Sequence, residues 1–469
     1  MSGPERMLRR AAQVEAEVHV PVAIVGGGAC GLTAALMLAD AGVDCVVLER
    51  DALPSGSSAL SSGFIPAPGT RTQREHGVAG DSAGRFAADI QAKAHGRAAP
   101  ALVEAYAGAI GPALDALQAR HGLEWILLDG FLYPGHSVHR MHALPQKTGA
   151  ALMAALLAAA EAAGIPVLTQ AVVDTLVLDA QDRVVGVDYL RPDGRRETLG
   201  CDALLLACNG FGGNVQMVRT LLPEMGEAAF GGHVGNDGSA ILWGTALGAR
   251  LRDLGGYQGH GSWVTPQGAL MSWAVMMEGG VQLNCEGRRF HDETQGYSEA
   301  AVHVLAQPGG IAWNVFDTPL LALARGFPDF CEAEAAGALR RCDSVAALAE
   351  CIGCEAPMLL ATLDAMRAGA APDGRVFARG LEAPYFAVKV TGALFHTQGG
   401  LDTAPDMRVL RQDGTPLPNL LAAGGAAGGV SGDAVWGYLS GNGLLSAVAG
   451  GYIAARTAAS LVGHKEPSA

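Results

Sequence analysis

Val22-Ala23-Ile24-Val25-Gly26-Gly27-Gly28-Ala29-Cys30-Gly31-Leu32 begins a segment that ends on the acid Glu49. An apolar run leads into the glycines, an alanine-rich stretch follows, and a second apolar run precedes Glu49. A lone GxGxxG is a weak signal, but here strand, glycines, helix and acid follow in the required order within about thirty residues. Gly26 permits a tight turn, Gly28 lets a pyrophosphate approach the backbone, and Gly31 lets the helix pack on the strand. The segment therefore predicts a dinucleotide-binding unit in which Glu49 accepts the ribose hydroxyls of an adenosine.

The bulk composition narrows the class of protein. A chain of 469 residues predicts two domains, and its net charge of −14 argues against nucleic acid or an anionic membrane as partner. The 65 glycines are about twice the usual share, as expected where backbone packs against a large cofactor. No uncharged apolar run approaches the roughly 20 residues of a membrane span, and residues 1–17 lack the apolar segment of a signal peptide. We therefore expect no transmembrane segment and a cytoplasmic location.

The nine cysteines are scattered, which is typical of free thiols in a reducing compartment. Cys331, Cys342, Cys351 and Cys354 lie close enough in sequence to suggest zinc. Ten residues separate the first two, however, and Cys351 lies in a run that is typical of an amphipathic helix ending at Gly353. Structural cysteines are the simpler interpretation, and we predict no metal site.

Two further glycine-rich bends follow apolar strands, at residues 203–214 and 419–432. A loop at 54–67, rich in serine and glycine, supplies donors for a pyrophosphate and for a ring system laid across the backbone. Three bends, each at the end of an apolar strand, suggest one cofactor contacted by distant parts of the chain. The region 255–394 has more aromatic residues and fewer bends, which predicts an inserted second domain. The aromatic and basic loop at 131–142 predicts no definite role, and lining a substrate channel stays open as an alternative for His136, Arg140 and His142.

Together the bends resemble the flavoprotein family of soluble fumarate reductases, succinate dehydrogenase flavoprotein subunits and 3-ketosteroid dehydrogenases, over roughly residues 20–460. The resemblance implies an α/β fold with a discontinuous, Rossmann-like FAD-binding domain at 18–254 and 395–463. It also implies an inserted α+β capping domain at 255–394 that closes over the substrate. Residues 1–17, which are polar and charged, are expected to be a flexible extension. Membrane-bound relatives attach FAD through a histidine after the second strand. Here that loop reads Ser57-Ser58-Ala59-Leu60, which implies non-covalent FAD.

The resemblance also implies which residues contact the cofactor. The adenosine is expected at Gly26–Glu49, and the isoalloxazine near Ser61–Gly63 and Asn442–Leu444. The expected contacts are Gly26, Gly28, Ala29, Gly31, Glu49, Arg50, Ser57, Ser58, Ser61, Ser62, Gly63, Val173, Asn209, Gly210, Asn214, Gly424, Gly425, Asn442, Leu444 and Leu445.

Four positions can be compared with the active site of the soluble fumarate reductases. Two agree: His260 in a Gln-x-His motif and His396 in His-Thr-x-Gly-Gly resemble histidines that hold a substrate carboxylate. Two differ: Tyr297 and Tyr438 stand where those enzymes have a proton-donating arginine and a carboxylate-clamping arginine. The glutamate and arginine of their proton relay also have no match at 273–277. A phenol cannot replace the bidentate hydrogen bonds that arginine forms with a carboxylate. A site with tyrosine at both positions is therefore expected to bind a dianion such as fumarate poorly.

Tyrosine at both positions resembles the ketosteroid dehydrogenases. That resemblance implies that Tyr297 is the base and that Tyr438 binds the substrate ketone, with Ser440 and a backbone amide near Asn442. Oxidation of a CH–CH bond beside a ketone sends a hydride to flavin N5, while the protein takes a proton and stabilises the enolate. A phenol, with an unperturbed pKa of about 10, suits that proton transfer. Packing at a domain border is the plain alternative for Tyr297.

We therefore expect an FAD-dependent dehydrogenase that introduces a C=C bond next to the carbonyl of a 3-ketosteroid or another cyclic ketone. Its partners are a small-molecule substrate and an unidentified electron acceptor. His260, His396 and Asn442 are expected to bind substrate, and the two family histidines suggest a ketone that bears a polar or carboxylate group. Two alternatives stay open: an enoate or enone reductase running the reverse reaction, and a flavin-binding subunit without turnover.

Overall fold

The structure is a computed structural model that describes residues 7–11, 14–369 and 373–463. These residues form two compact units. Unit 1 contains the described residues up to Leu221, then Gly232–Tyr257 and the described residues from His396 onward, and unit 2 contains Leu222–Gly231 and Gln258–Phe395. The sequence placed 222–231 in the first domain. The structure places this segment in unit 2, because Ala229 and Phe230 pair with the strand residues Ala393 and Leu394.

The strands, in chain order, are β1 (Met7–Arg10), β2 (Val18–Val25), β3 (Cys45–Leu48), β4 (Ile65–Pro66), β5 (Ile126–Leu127), β6 (Met141–Ala143), β7 (Val167–Leu168), β8 (Val172–Leu178), β9 (Val184–Leu190), β10 (Arg196–Leu206), β11 (Ala229–Phe230), β12 (Leu251–Arg252), β13 (Tyr257–Val264), β14 (Ala269–Leu270), β15 (Val281–Leu283), β16 (Ile311–Phe316), β17 (Arg340–Cys342), β18 (Tyr385–Thr397), β19 (Gly400–Leu401), β20 (Arg408–Leu410) and β21 (Pro416–Ala422).

The α-helices are α1 (Ala29–Asp40), α2 (Gly56–Ala59), α3 (Arg71–Glu75), α4 (Ala83–Lys93), α5 (Pro100–His121), α6 (Gly149–Ala162), α7 (Val215–Leu221), α8 (Ser239–Ala246), α9 (Ala274–Met277), α10 (Tyr297–Leu305), α11 (Thr318–Ala324), α12 (Pro328–Ala335), α13 (Val345–Ile352), α14 (Ala356–Arg367) and α15 (Asn442–Leu461). Short 3₁₀ turns occupy Pro223–Met225, Pro308–Gly310, Gly424–Ala426 and Val435–Gly437.

Unit 1 is built on a nine-stranded sheet with the path β1-β8-β9-β10-β2-β3-β7, to which β21 and β20 are added beside β10. Strand β2 pairs in parallel with β3 on one side and β10 on the other. A parallel strand buried on both faces requires a continuous apolar run, which is the pattern of residues 22–25. The mixed α/β architecture confirms the predicted Rossmann-like fold class.

The glycines between β2 and α1 allow backbones to approach closely. Gly26 has φ +111°, and a Cβ there would lie 2.4 Å from the carbonyl oxygen of Ala207. A Cβ on Gly31 would lie 1.9 Å from the carbonyl oxygen of Gly26. Any side chain at either position would displace backbone, so the predicted turn and the close helix packing both depend on glycine.

Helix α15 crosses the core of unit 1. Among the described residues, α15 is the only unbroken helix that is long and apolar enough to span a membrane. Helices α13 and α14, which form a bent pair, reach that length and apolar character only when taken together. Gly451 of α15 lies so close to α1 that a Cβ would meet the carbonyl oxygen of Cys30 at 2.4 Å. A helix buried in this way is apolar because of its place in the core.

Unit 2 contains a seven-stranded sheet with the path β14-β13-β18-β16-β15, and β11 and β17 also pair with β18. Its core contains Trp273, Phe316, Phe330 and Phe386. Helix α10 starts at Tyr297, directly after Gly296, whose φ of +138° suits glycine. The amide of Gly259 in β13 donates to the Ser298 hydroxyl at 2.8 Å, which ties the strand to the start of the helix.

A buried ion network stabilises unit 2. The Glu293 carboxylate accepts hydrogen bonds from Arg289 Nε at 3.0 Å, Arg375 Nη1 at 2.6 Å and the Gln282 amide at 3.0 Å. Burial alone would raise the pKa of Glu293, but the hydrogen bond from Arg289 and the charges of both arginines outweigh it and lower the pKa. The carboxylate is therefore ionised, and all three of these hydrogen bonds come from residues of unit 2.

We expect the substitution Glu293→Gln to lower the free energy of unfolding by about 3–5 kcal/mol, because Arg375 loses its carboxylate partner and Arg289 keeps only Asp373. Chemical denaturation of the FAD-bound protein measures this loss. Asp343→Asn, in the exposed Arg341–Asp343 pair, is the control and should change stability little. Because the pKa of Glu293 is lowered in the folded state, its contribution is present above the carboxyl's ordinary pKa and is lost in acid. Equal effects of the two substitutions would contradict this account.

Candidate active site

The dinucleotide motif places Glu49 at the end of β3, next to the glycine turn. Its buried carboxylate accepts the amide of Gly27 at 2.8 Å on one oxygen and the amide of Asp51 at 2.9 Å on the other. Each carboxylate oxygen accepts more than one hydrogen bond, so acceptor capacity is left for ribose hydroxyls. The local structure therefore suits the role predicted for Glu49.

The serine loop after β3 contacts the start of α1. The Ser58 hydroxyl accepts from the amide of Ala29 at 3.2 Å, and the Ser61 hydroxyl donates to the Ser58 carbonyl at 2.7 Å. Ser62 and Gly63 continue the same loop, where Gly63 donates from its amide to the Ser61 hydroxyl at 3.1 Å. The loop thus lies beside the helix N-terminus that would receive a pyrophosphate.

Residues 233–237 were missed by the sequence analysis. The Ser57 hydroxyl accepts from the amide of His233 at 3.1 Å and from the side chain of Asn236 at 2.8 Å. Arg50 Nη1 donates to the carbonyl of Gly235 at 2.7 Å. The segment therefore covers two predicted cofactor residues, and no local pattern in its sequence signals this contact.

The second and third glycine bends meet. A Cβ on Gly425 would lie 2.1 Å from Oδ1 of Asn209, and a Cβ on Gly210 would lie 2.0 Å from Oγ1 of Thr397. Asn209 itself has φ +64°. The structure therefore brings Asn209, Gly210, Gly424 and Gly425 together, as one cofactor would require.

Two other predicted cofactor residues lie in a strand and directly before a helix. Val173 is buried in β8 opposite Tyr189 of β9. Asn214 accepts from the amide of Met217 at 3.2 Å, at the start of α7, and donates to the carbonyl of Asp237 at 3.0 Å. Both assignments stay predictions.

The start of α15 contains two buried acceptors that need a partner. Within the described part of the chain, Asn442 Oδ1 and Ser446 Oγ have no hydrogen-bond partner. Leaving such groups unsatisfied costs about 1–3 kcal/mol each, which indicates a bound polar group at this position. FAD fits this requirement together with the glycine turns. Ser446 was not predicted, although it lies one turn after Asn442 and so shares its helix face.

His396 and Tyr438 lie together at the N-terminus of α15. Their rings are 5.5 Å apart and meet edge to face. The Tyr438 hydroxyl accepts a hydrogen bond from the amide of Gly443 at 3.3 Å, and a Cβ on Gly443 would lie 2.5 Å from Nε2 of His396. Ser440, which is 4% exposed, belongs to the same loop. The positive end of a 20-residue helix here favours negative charge on a bound oxygen.

A hydrogen-bonded chain links Asn442 to His396. The Asn442 amide donates to the Ser431 hydroxyl at 2.9 Å, which donates to Oε1 of Gln398 at 2.8 Å. Nε2 of Gln398 lies 3.3 Å from Nδ1 of His396. The protein around the ring removes water and lowers the pKa of His396 to about 4, although a hydrogen bond to Thr397 opposes the shift. His396 is therefore uncharged at neutral pH.

His260 and Tyr297 are brought together in unit 2. Their rings stack 4.8 Å apart with 20° between the planes. Nδ1 of His260 accepts from the amide of Ser262 at 3.0 Å, so the neutral ring carries its proton on Nε2. Burial lowers the pKa of His260 to about 3, which leaves it neutral. The packing around the stack is aromatic, with Trp273 and Phe395 against His260.

The cysteine cluster does not form a metal centre in the described residues. Cys331 is exposed, Cys342 is buried, and Cys351 and Cys354 are half-buried. Among those residues no group of three or more His, Cys, Asp or Glu side chains is placed to hold a metal ion.

We expect the substitution Gly28→Ala to weaken FAD binding at least about tenfold without unfolding unit 1. The added methyl fits the protein, since its nearest atom is Oγ of Ser58 at 3.6 Å, but it lies where the pyrophosphate approaches. Titration of apoprotein with FAD gives the affinity, and thermal unfolding of the apoprotein tests the fold. Gly108→Ala is the matched control, because nothing lies within 4 Å of a Cβ there. Equal FAD affinity in both variants would place the pyrophosphate elsewhere.

Comparison with known proteins agrees with this geometry. The sequence profile of the FAD binding domain family matches residues 21–444. A protein described as a probable fumarate reductase from Shewanella frigidimarina is 28% identical over 93% of this chain and 74% of its own. The urocanate reductase of Eggerthella lenta is 29% identical over 87% and 70%. The 4-oxocyclohexanecarboxylate 2-dehydrogenase of Sinomonas cyclohexanicum is 25% identical over 95% and 96%.

Solved structures share the fold. The open conformation of a flavocytochrome c3 fumarate reductase matches 96% of this chain and 79% of its own, with a TM-score of 0.80 and 27% identity. The 3-ketosteroid-Δ4-(5α)-dehydrogenase of Rhodococcus jostii RHA1 matches 97% and 99%, with a TM-score of 0.77 and 24% identity. The second likeness concerns the fold alone.

Proposed function

The chain belongs to the FAD binding domain family, and we propose that it dehydrogenates a cyclic ketone. The members of this family that are similar to it are FAD-dependent oxidoreductases acting on CH–CH bonds. The proposed reaction introduces a C=C bond next to the carbonyl group. The observation that carries the proposal is the pair of tyrosines, Tyr297 and Tyr438, at positions where the soluble fumarate reductases have arginines. FAD is proposed to bind without a covalent link, since the serine loop at 57–60 contains no histidine.

The reaction has two requirements besides a hydride acceptor. FAD, when bound, supplies the acceptor for the hydride that leaves the β-carbon. The protein must then remove a proton from the α-carbon and stabilise negative charge on the ketone oxygen. We assign these two tasks to different tyrosines.

Tyr438 is proposed to donate to the ketone oxygen. Its hydroxyl accepts from the Gly443 amide, which holds the phenol at the start of α15. The N-terminus of α15 favours the negative charge that develops on the enolate oxygen. Ser440, two residues on in the same loop, is proposed as a second donor to this oxygen.

Tyr297 is proposed as the base. As the first residue of α10 it lies at the positive end of that helix, which favours a negatively charged phenolate. Stacking on His260 fixes the plane of its ring. The side chain is half-buried, so a proton accepted from the α-carbon can pass on to water.

The substrate is proposed to be a cyclic ketone with at most one carboxylate. His260 and His396 are both neutral, so they offer hydrogen bonds but no fixed positive charge. A dianion needs more charge than this, whereas one carboxylate or a polar group does not. The similarity to 4-oxocyclohexanecarboxylate 2-dehydrogenase, over nearly the full length of both chains, supports this substrate class.

The reverse reaction is the second candidate. It is favoured by the similarity to fumarate and urocanate reductases at 28–29% identity. A reductase would use the same residues in the opposite direction, with Tyr297 returning the proton. Anaerobic mixing of the reduced protein with an enone or an enoate tests it, because reoxidation of the flavin then restores the visible absorbance.

We expect Tyr297→Phe to keep the visible flavin spectrum and to lose about 10²- to 10⁴-fold in turnover, the usual contribution of a general base. Oxidised protein is mixed anaerobically with 4-oxocyclohexanecarboxylate, a 3-ketosteroid or succinate, and bleaching of the flavin is followed. Tyr385→Phe, at a buried tyrosine of unit 2, is the control and should react like the wild type. Full activity of Tyr297→Phe would exclude Tyr297 as base, and bleaching by succinate alone would exclude the ketone reaction.

We expect the KM for 4-oxocyclohexanecarboxylate to stay constant within about twofold from about pH 6 to about pH 8. With their pKa values lowered to about 3 and about 4, His260 and His396 do not change charge in this range. A cationic imidazole of ordinary pKa would lose its charge there, and KM for a carboxylate would rise with pH. A neutral 3-ketosteroid serves as the control substrate. A rise confined to the carboxylate would show that a histidine binds it as a cation.

A further inference from the structure

A buried polar chain lies directly behind the loop that contains Tyr438 and Ser440. Its first member is His136, from the aromatic and basic loop at 131–142. Nε2 of His136 lies 2.9 Å from the carbonyl oxygen of Ser440, and Nδ1 lies 3.1 Å from Nη1 of Arg140. His136 is 6% exposed and Arg140 is 1% exposed, so these contacts are shielded from water. All of these residues belong to unit 1.

The contacts fix the tautomer of His136. Arginine has donors only, so Nδ1 of His136 accepts from Arg140. The single proton of the neutral ring is therefore on Nε2, which donates to the Ser440 carbonyl. Burial, and then the charge of Arg140, lower the pKa of His136 to about 4. The neutral donor form therefore persists at physiological pH.

Arg140 is itself immobilised. Its Nε and Nη2 donate to the two oxygens of Asp81 at 3.1 Å and 2.9 Å, and Nη1 donates to Asp89 at 2.5 Å. The guanidinium also lies over the Phe86 ring, 4.8 Å from its centroid. Bidentate carboxylate bonds fix the plane of a guanidinium, so Arg140 presents its donor to His136 in one direction.

The loop at 131–142 also packs closely against the neighbours of Ser440. A Cβ on Gly135 would lie 2.7 Å from Cδ1 of Leu439, and a Cβ on Gly441 would meet Pro66 at 2.5 Å and Met141 at 3.3 Å. Gly441 has φ +89°, which makes the turn into α15. Because a peptide unit is planar, fixing the Ser440 carbonyl also fixes the Gly441 amide on its opposite side. The orientation of the turn between Tyr438 and α15 is thereby set.

We propose that His136 is a positioning residue, which fixes the Ser440 carbonyl and so places the Tyr438 and Ser440 hydroxyls for the substrate oxygen. His136 acts through the main chain of Ser440. Asp81, Asp89 and Arg140 orient His136, which explains why a charged cluster is buried at this point. The kinetic part of this inference rests on the proposed function, whereas the structural part does not.

Hydrogen exchange of the FAD-bound protein tests the structural part. In His136→Phe, which has no donor, the amides of 438–445 should exchange at least about tenfold faster than in the wild type, because the turn opens more easily. His136→Gln, whose side-chain amide can reach the same carbonyl, should restore slow exchange. His142→Gln is the matched control: His142 is fully buried and bonds to Thr70 and the Arg140 carbonyl. It should leave 438–445 unchanged.

Kinetics with 4-oxocyclohexanecarboxylate or a 3-ketosteroid test the rest. We expect His136→Phe, at equal FAD content, to lower kcat about 10- to 100-fold with KM changed less than about threefold, since misplacement by about 1 Å has effects of this size. His136→Gln should recover most of kcat. Unchanged exchange in His136→Phe, or equal loosening by His142→Gln, would overturn the inference, as would faster exchange with unchanged kcat. If no ketone bleaches the wild-type flavin, the proposed function fails and the exchange pattern alone decides the role of His136.

Discussion

The close approach of α1 and α15 is the contact on which the rest of unit 1 depends. Gly451 brings the backbone of α15 against the carbonyl of Cys30, and Gly424 approaches the side chain of the same cysteine. Helix α1 begins at the dinucleotide turn, while α15 begins at the loop of Tyr438. The two helices therefore set the distance between the end proposed to bind adenosine and the end proposed to carry the chemistry. Glycine at 451 is required because any Cβ would push the helices apart.

The buried arginines show how the protein uses full charges. Arg140, Arg289 and Arg375 are each nearly inaccessible, and each bonds to carboxylates of its own unit. Their charges are therefore neutralised locally and serve to fix loops and strands. The residues proposed to act on the substrate, in contrast, contribute phenols, hydroxyls, amides and neutral histidines. The buried arginines therefore stabilise the fold, whereas the groups proposed for chemistry offer directed hydrogen bonds.

The structural features that can be predicted from the sequence are those set by residues close together along the chain. The strand, turn and helix at 18–40 follow from an apolar run and three glycines, because both the pattern and the packing are local. Family motifs located His396 and Tyr438, which the structure brings together, and His260 and Tyr297, which it stacks. Gln398 and Ser446 could have been found from their spacing to His396 and Asn442. The contact between His136 and Ser440 could not, since 304 residues separate them and no periodic pattern links the two segments.

In the proposed reaction, tyrosine suits position 438 better than arginine because of where the negative charge develops. An arginine stabilises a carboxylate equally before and during the reaction, which improves binding without lowering the barrier. The enolate of a ketone develops its negative charge only as the proton leaves. A phenol at the N-terminus of α15 meets this charge with a hydrogen bond and with about half a unit of positive charge from the helix. The ketone, being neutral, gains less from that partial charge than its enolate does. In the proposed reaction, a rigidly placed Tyr438 therefore favours the transition state over the bound substrate, and we infer that the glycine turn and the Ser440 carbonyl behind it set its placement.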